Sequence, residues 1–148
     1  MILLSGINHA ALITHDLDRV VEFYTSVFGA EVVFEESAPE FRHALLRIGD
    51  HAMLHPVEVR ESPHGSGVAE TFRRGHVDHL GLNVGSAEAF EEIRRRLMAR
   101  GASDGSISDL GPQLCLWFED PDGMRAEVCW IRDVGLRGFH APRPVADS

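Results

Sequence analysis

Two stretches of the chain alternate apolar and polar positions around a histidine. Ile7-Asn8-His9-Ala10-Ala11-Leu12 and Val77-Asp78-His79-Leu80-Gly81-Leu82 stand about 70 residues apart and share one pattern. The alternation predicts a β-strand in each. Each strand runs into a residue suited to cap a helix, Asp16 or Ser86. Apolar side chains then recur at helical spacing: Leu17, Val20, Val21, Tyr24 and Phe28 in the first copy, and Phe90, Ile93 and Leu97 in the second. Both predicted helices stop near a Gly-Ala pair, Gly29-Ala30 and Gly101-Ala102, and glycine is a common helix terminator.

Strand patterns follow each helix. The first copy shows Glu31 to Phe34, Phe41 to Ile48 and Ala52 to Val59, with a turn at Gly49-Asp50. The second shows Leu114 to Phe118 and Met124 to Ile131 around Asp120-Pro121-Asp122-Gly123, plus a weakly written strand near Ser106 to Leu110. Each copy thus reads βαβββ, and the chain reads as one α+β domain of two modules. The modules span 5–60 and 75–131, joined by a linker at 61–74 whose first part, 61–67, is turn-rich and expected to be mobile. A repeated unit of this size packs against its copy, because one copy buries its sheet poorly alone. The tail, residues 132–148, is too polar and proline-rich to fold by itself and is expected to be a flexible end, with His140 the residue that could close over a pocket.

Alternate strand positions share a face. Leu80, Leu82 and Val84 point to the helix, so His79, Gly81 and Asn83 point away from it. His9, Ala11 and Ile13 share a face opposite Ala10 and Leu12. The small neighbours Ala11 and Gly81 leave room in front of the imidazoles. A lone strand histidine is usually a hydrogen-bonded core residue, but two at equivalent places in a repeat suggest a shared ligand. In the last strand Arg125, Glu127, Cys129 and Ile131 share a face. A carboxylate in mid-strand is costly unless paired. The partner of Glu127 is then Arg125, Arg47 or an ion. Two histidines and a carboxylate make a site for one divalent metal with open positions, and iron(II), manganese, zinc and nickel all suit it. Reflection about Asp122 sets Cys115 opposite Cys129 and Trp117 opposite Glu127. Trp117 is expected to line a pocket with Arg125, Ala11, Gly81 and His55.

Composition narrows the function classes. The 148-residue chain carries a formal charge of -9, which argues against nucleic acid. All 14 basic residues are arginine, so lysine Schiff-base chemistry and a P-loop lysine are excluded. No apolar run approaches the roughly 20 residues of a membrane span, and the start does not read as a signal peptide. With two cysteines there is no disulfide framework, and a cytoplasmic location is expected.

These motifs carry a resemblance. INHAALITHDLDRVVEFYTSVFGAE, VDHLGLNV and FEDPDGMRAEV resemble the first strand and helix, the fifth strand and the closing hairpin of the vicinal oxygen chelate superfamily. That superfamily includes glyoxalase I, bleomycin-resistance proteins, small fosfomycin-resistance enzymes, methylmalonyl-CoA epimerase and extradiol dioxygenases. The resemblance covers about residues 5–131. It implies that the modules form an open, incomplete barrel around a metal held by His9, His79 and Glu127. It also implies a homodimer, in which His9 of one chain can meet His79 and Glu127 of the other.

Glyoxalase I and the epimerase carry a fourth ligand, Glu or Gln, in the fourth strand of the first module. Here that position aligns with Ala52 or Leu54. His55 is read on the opposite face, turned inward only by a bulge at Pro56. No catalytic base is thereby assigned. The expected function is a metal-dependent enzyme on a small substrate chelated through vicinal oxygens, with dioxygenase-like or nucleophile-addition chemistry favoured. The alternatives are a drug- or metabolite-sequestering protein like the bleomycin-resistance proteins, and isomerisation of the glyoxalase or epimerase type.

Overall fold

A computed structural model of the chain describes residues 7–39, 41–59 and 77–145. The expected linker at 61–74 lies outside the described residues. The chain divides into two compact units, Met1–Gly67 and Val68–Ser148.

The first unit runs β1 (His9–Thr14), α1 (Leu17–Phe28), β2 (Glu31–Ser37), β3 (Phe41–Arg47) and β4 (Met53–Val59). The sheet order is β1-β4-β3-β2, with β1 parallel to β4 and the other neighbours antiparallel. Asp16 caps α1 by accepting from the Arg19 N–H, and Gly29 ends it in the left-handed conformation. Glu58 of β4 accepts from the Leu17 N–H at 2.8 Å, which ties the helix start to the sheet. The helix buries Leu17, Val20, Phe23, Tyr24 and Val27. The expected stripe was rotated by about one position, since Val21 and Phe28 stay partly exposed while Phe23 and Val27 are covered. Against this stripe the sheet sets Ala44, Leu46, Leu54 and Pro56, all buried.

The second unit runs β5 (Leu80–Val84), α2 (Ala87–Ala99), β6 (Ile107–Asp109), β7 (Gln113–Glu119), β8 (Arg125–Ile131) and β9 (Arg143–Pro144). Its sheet order is β5-β8-β7-β6-β9, with β5 parallel to β8. Ser86 caps α2 by accepting from the Ala89 N–H. Phe90 and Leu97 of the helix are buried, as are Leu116, Phe118, Ala126 and Val128 of the sheet. Arg95 and Arg96 pair with Glu92, so the arginine run is a solvated face laced by ion pairs. At the β7–β8 turn the buried Asp120 carboxylate accepts from the Asp122 and Met124 N–H groups, and Gly123 takes a positive φ of 79°.

The tail departs from expectation. It does not end as a free segment through Val145: β9 pairs with the short β6, and the His140 N–H donates to the Leu110 carbonyl at 3.1 Å. The edge of β6 supplies the backbone partners that the tail lacks by itself. Each sheet is open, without closure into a barrel.

Candidate functional site

In both units the face turned away from the helix carries the candidate site residues. In the first unit it presents His9, Ala11 and Ile13 from β1, with His55 directly beside Ala11 in the β1–β4 register. That register runs without a break from His9↔Met53 to Thr14↔Glu58. His55 therefore shares the His9 face with no bulge at Pro56, contrary to the sequence expectation. Leu54 pairs with Ala10 and is buried on the helix side, so it is not the site-facing position. The His9 and His55 rings lie edge to face with centroids 5.9 Å apart.

Behind His55 stands a chain of hydrogen bonds. His43 Nε2 is 3.0 Å from Glu36 Oε2, and His43 Nδ1 is 2.8 Å from His55 Nε2. An ionised carboxylate only accepts, so with neutral rings the Glu36 contact assigns the proton to His43 Nε2. His43 Nδ1 then accepts from His55 Nε2–H, and the lone pair of His55 sits on Nδ1. Burial holds the His55 pKa below its ordinary value, with the charges of His43 and His9 adding to the effect.

A β-bulge puts Glu36 there. The register of β2 against β3 shifts between Val32 and Phe34, which moves from Val32↔Leu46 to Phe34↔Leu45 and Glu36↔His43. One extra residue exchanges the faces of everything after it. Without it, Glu36 would stand on the helix side. Phe34 and Phe41 flank His43 edge-on, at 5.5 and 5.3 Å between centroids.

In the second unit the site face carries His79, Gly81, Trp117, Arg125 and Glu127. Register sets Gly81 and Trp117 on either side of Glu127. His79 Nε2 is 3.9 Å from Glu127 Oε2. The Trp117 ring meets His79 edge to face at 4.8 Å, and the Arg125 guanidinium lies 4.8 Å from the same ring. Of the two arginines considered as partners of Glu127, Arg125 thus sits on Trp117 and Arg47 pairs with Glu31. Cys129 Sγ approaches Glu127 Oε2 at 3.7 Å and Cys115 Sγ at 3.3 Å, the cross-strand pair expected from the hairpin.

The two histidines also share a hydrogen-bonding device. His9 Nδ1–H donates to Asn8 Oδ1 at 2.9 Å, and His79 Nδ1–H donates to Asp78 Oδ2 at 2.9 Å. In each repeat the preceding side chain holds the proton on Nδ1 and leaves the lone pair on Nε2. Metal-bound histidines are oriented in this way by an acceptor on the second ring nitrogen. By donor type each of these imidazoles suits a divalent ion, as does the Glu127 carboxylate beside His79. A cavity of about 400 Å³ opens beside this end of the first unit, lined by Asn8, Arg47, His51 and Met53 among others.

The first unit thus brings together His9, Ala11 and His55. The second brings together His79, Glu127, Trp117, Arg125 and Gly81. Sequence reasoning missed Glu36, His43, Asn8 and Asp78. The last two left a signal in the repeat, which sets one side-chain oxygen acceptor over another directly before each histidine.

Comparisons with known proteins agree on one family. The model of the Glyoxalase/Bleomycin resistance protein/Dioxygenase superfamily matches residues 6–128. A lactoylglutathione lyase of Salmonella typhimurium is 30% identical over 129 residues, covering 86% of this chain and 93% of the relative. Among solved structures, a glyoxylase/bleomycin resistance protein/dioxygenase domain from Frankia sp. EAN1pec is similar with a TM-score of 0.70 at 24% identity, covering 88% of this chain and 95% of that one. A fosfomycin resistance protein from Listeria monocytogenes, complexed with Mn(II) and dihydroxypropylphosphonic acid, is similar with a TM-score of 0.62 at 20% identity, covering 86% and 93%.

Proposed function

Because the chain belongs to the Glyoxalase/Bleomycin resistance protein/Dioxygenase superfamily, we propose that it is a metal-dependent enzyme that moves a proton at carbon in a small substrate chelated through two neighbouring oxygens. The observation that carries this reading is the repeated acceptor: Asn8 on His9 and Asp78 on His79 leave both Nε2 atoms as free ligands. His9, His79 and Glu127 would hold one divalent ion, iron(II), manganese, zinc or nickel. When bound, such an ion supplies a Lewis acid for the oxyanion that develops as the proton leaves.

His55 favours one of these chemistries over the others. Addition or dioxygenase chemistry was favoured from sequence because the fourth strand offered no base. The open Nδ1 of His55 is a base on the His9 face. It accepts the proton from substrate carbon while Nε2–H stays on His43, and Glu36 balances the charge that the imidazole acquires. Returning the proton to the adjacent carbon completes an isomerisation. The lactoylglutathione lyase relative supports a reaction of the glyoxalase type. Trp117 and Arg125 present an aromatic wall and a cation to the substrate.

The test is metal-reconstituted protein assayed with methylglyoxal and thiols, catechols with oxygen uptake, fosfomycin with thiols, and bleomycin by calorimetry. Thiol-dependent turnover of methylglyoxal, lost in His55→Gln at unchanged metal content, is expected. Oxygen uptake with a catechol would move the reading to a dioxygenase. Stoichiometric drug binding that persists in Glu127→Ala, with no turnover of any candidate, would leave a sequestering protein.

A further inference from the structure

The second unit also holds a pair of thiols that the proposed reaction does not use. Cys115 on β7 and Cys129 on β8 are register partners, both free thiols, with their sulfurs 3.3 Å apart. Together with Glu127 they offer three ligand atoms that all lie within 4.8 Å of one another. Cys115 is sealed, at 1% exposure. Cys129 is only partly covered; its register partner on β5 is Asn83, and its diagonal neighbour there is a glycine, Gly81, where a Cβ would stand 3.7 Å from the Cys129 sulfur. The glycine thus leaves open the flank from which a small ion can reach the pair.

The chemistry of this set differs from that of the imidazoles. Thiolates are soft donors and select zinc-like ions over manganese or magnesium. Two sulfurs bound at about 2.3 Å to one tetrahedral ion lie roughly 3.7 Å apart, so the pair need open by only a few tenths of an ångström. Gln113 Nε2–H donates to Cys115 Sγ at 3.3 Å and so favours a negative sulfur there. We propose that Cys115, Cys129 and Glu127 form a thiophilic site for a d10 divalent cation, zinc or cadmium, with a fourth position open to water. Each thiol releases its proton to solvent as it binds.

The same carboxylate atom faces both donor sets. Glu127 Oε2 is the oxygen near His79 Nε2 and also the oxygen near Cys129 Sγ. A soft ion on the thiols therefore takes Oε2 away from His79, and the two ions exclude each other. The exclusion rests on the imidazole centre proposed above; the dithiol site does not.

Cadmium titration of the reduced, metal-free full chain tests the site through the ultraviolet thiolate-to-cadmium charge-transfer band. One equivalent should develop the band in the wild type, in His9→Ala and in His79→Ala. Cys115→Ser and Cys129→Ser should each abolish it with the circular dichroism unchanged; Cys115→Ala repeats the test should the first serine variant misfold. Glu127→Gln should keep the band and weaken binding by roughly tenfold or more. A wild type without the band, or cysteine variants that retain it, would overturn the site. For the exclusion, the wild type is loaded with manganese and given one equivalent of cadmium while free Mn(II) is read by electron paramagnetic resonance. Release in the wild type but not in Cys115→Ser/Cys129→Ser is expected, and manganese retained beside bound cadmium would overturn the exclusion. Manganese that never binds would instead count against the imidazole centre, with the cadmium band still standing for the dithiol.

Discussion

His43 Nδ1 lies 2.8 Å from His55 Nε2, and Glu36 closes the other side of the His43 ring at 3.0 Å. This relay assigns one proton to each ring, on His43 Nε2 and on His55 Nε2, and leaves the His55 Nδ1 lone pair at its end. His43→Phe should lower kcat about 10- to 100-fold with little change in KM, because substrate is still bound while the base loses its orientation. Glu36→Gln should cost less, about tenfold, since an amide oxygen still accepts from His43. Steady-state kinetics beside metal analysis checks both; a fall in metal content to match the fall in rate would reassign the relay to structure.

Under the proposed function, the acceptors on His9 and His79 should matter to the metal and not to the fold. Asn8→Ala and Asp78→Ala each free an Nδ1–H and let the imidazole change tautomer. Each should weaken metal affinity by about 10- to 100-fold, as loss of an orienting partner does elsewhere. Competition with a chromogenic chelator reads this directly, and affinities equal to the wild type would sever the link between the repeat and metal binding.

His55 also predicts a pH dependence of stability. Its folded pKa lies below the ordinary 6.5, so between the two values the unfolded chain binds more protons than the folded one. The stabilisation is complete above 6.5 and is lost as pH falls through it toward the lowered value. The melting temperature of the metal-free protein should drop across that window, and His55→Gln should flatten the drop. An identical slope in the variant would assign the loss to other groups.

Each helix hangs on one capping side chain. Asp16 accepts from the Arg19 N–H at 3.0 Å and Ser86 from the Ala89 N–H at 3.2 Å. Asp16→Ala and Ser86→Ala should each destabilise by about 1 kcal/mol in urea unfolding. Asp16→Ala should lie at the lower end, because Glu58 still accepts from the Leu17 N–H.

A homodimer is expected from the family resemblance. Light scattering at micromolar concentration should return twice the chain mass, and a monomeric mass would reject it. Mixing His9→Ala with His79→Ala then tells how a site is assembled. Activity recovered in the mixture means that His9 and His79 come from different chains, since only a mixed dimer then holds one intact pair.

Much of the architecture was written in local patterns. The repeat around His9 and His79, both helix caps, the βαβββ succession of elements in each copy and the Cys115–Cys129 and Trp117–Glu127 registers all follow from alternation, helical spacing and one turn motif. These are short-range signals, carried by the two-residue period of a strand and the geometry of a tight hairpin. The face of His79 and of Glu127 was legible for the same reason.

What tertiary structure decided depends on pairing between strands distant in sequence. The side on which His55 stands is set by its register with β1, about forty residues earlier, and not by any residue beside it. Glu36 reaches His43 only because a bulge between Val32 and Phe34 exchanges the faces of β2, and nothing in EVVFEES distinguishes a bulged strand from a regular one. The docking of the tail on β6 likewise needs a partner edge, since a proline-rich segment has too few donors of its own to hold a conformation. By itself the sequence set His9, His79 and Glu127 on the sheet faces turned away from the helices, and it left Glu36 and His43 unmarked. Only the folded sheet determined that Glu36, His43 and His55 form one hydrogen-bonded chain, because a hydrogen bond needs a relative position that non-local pairing alone supplies.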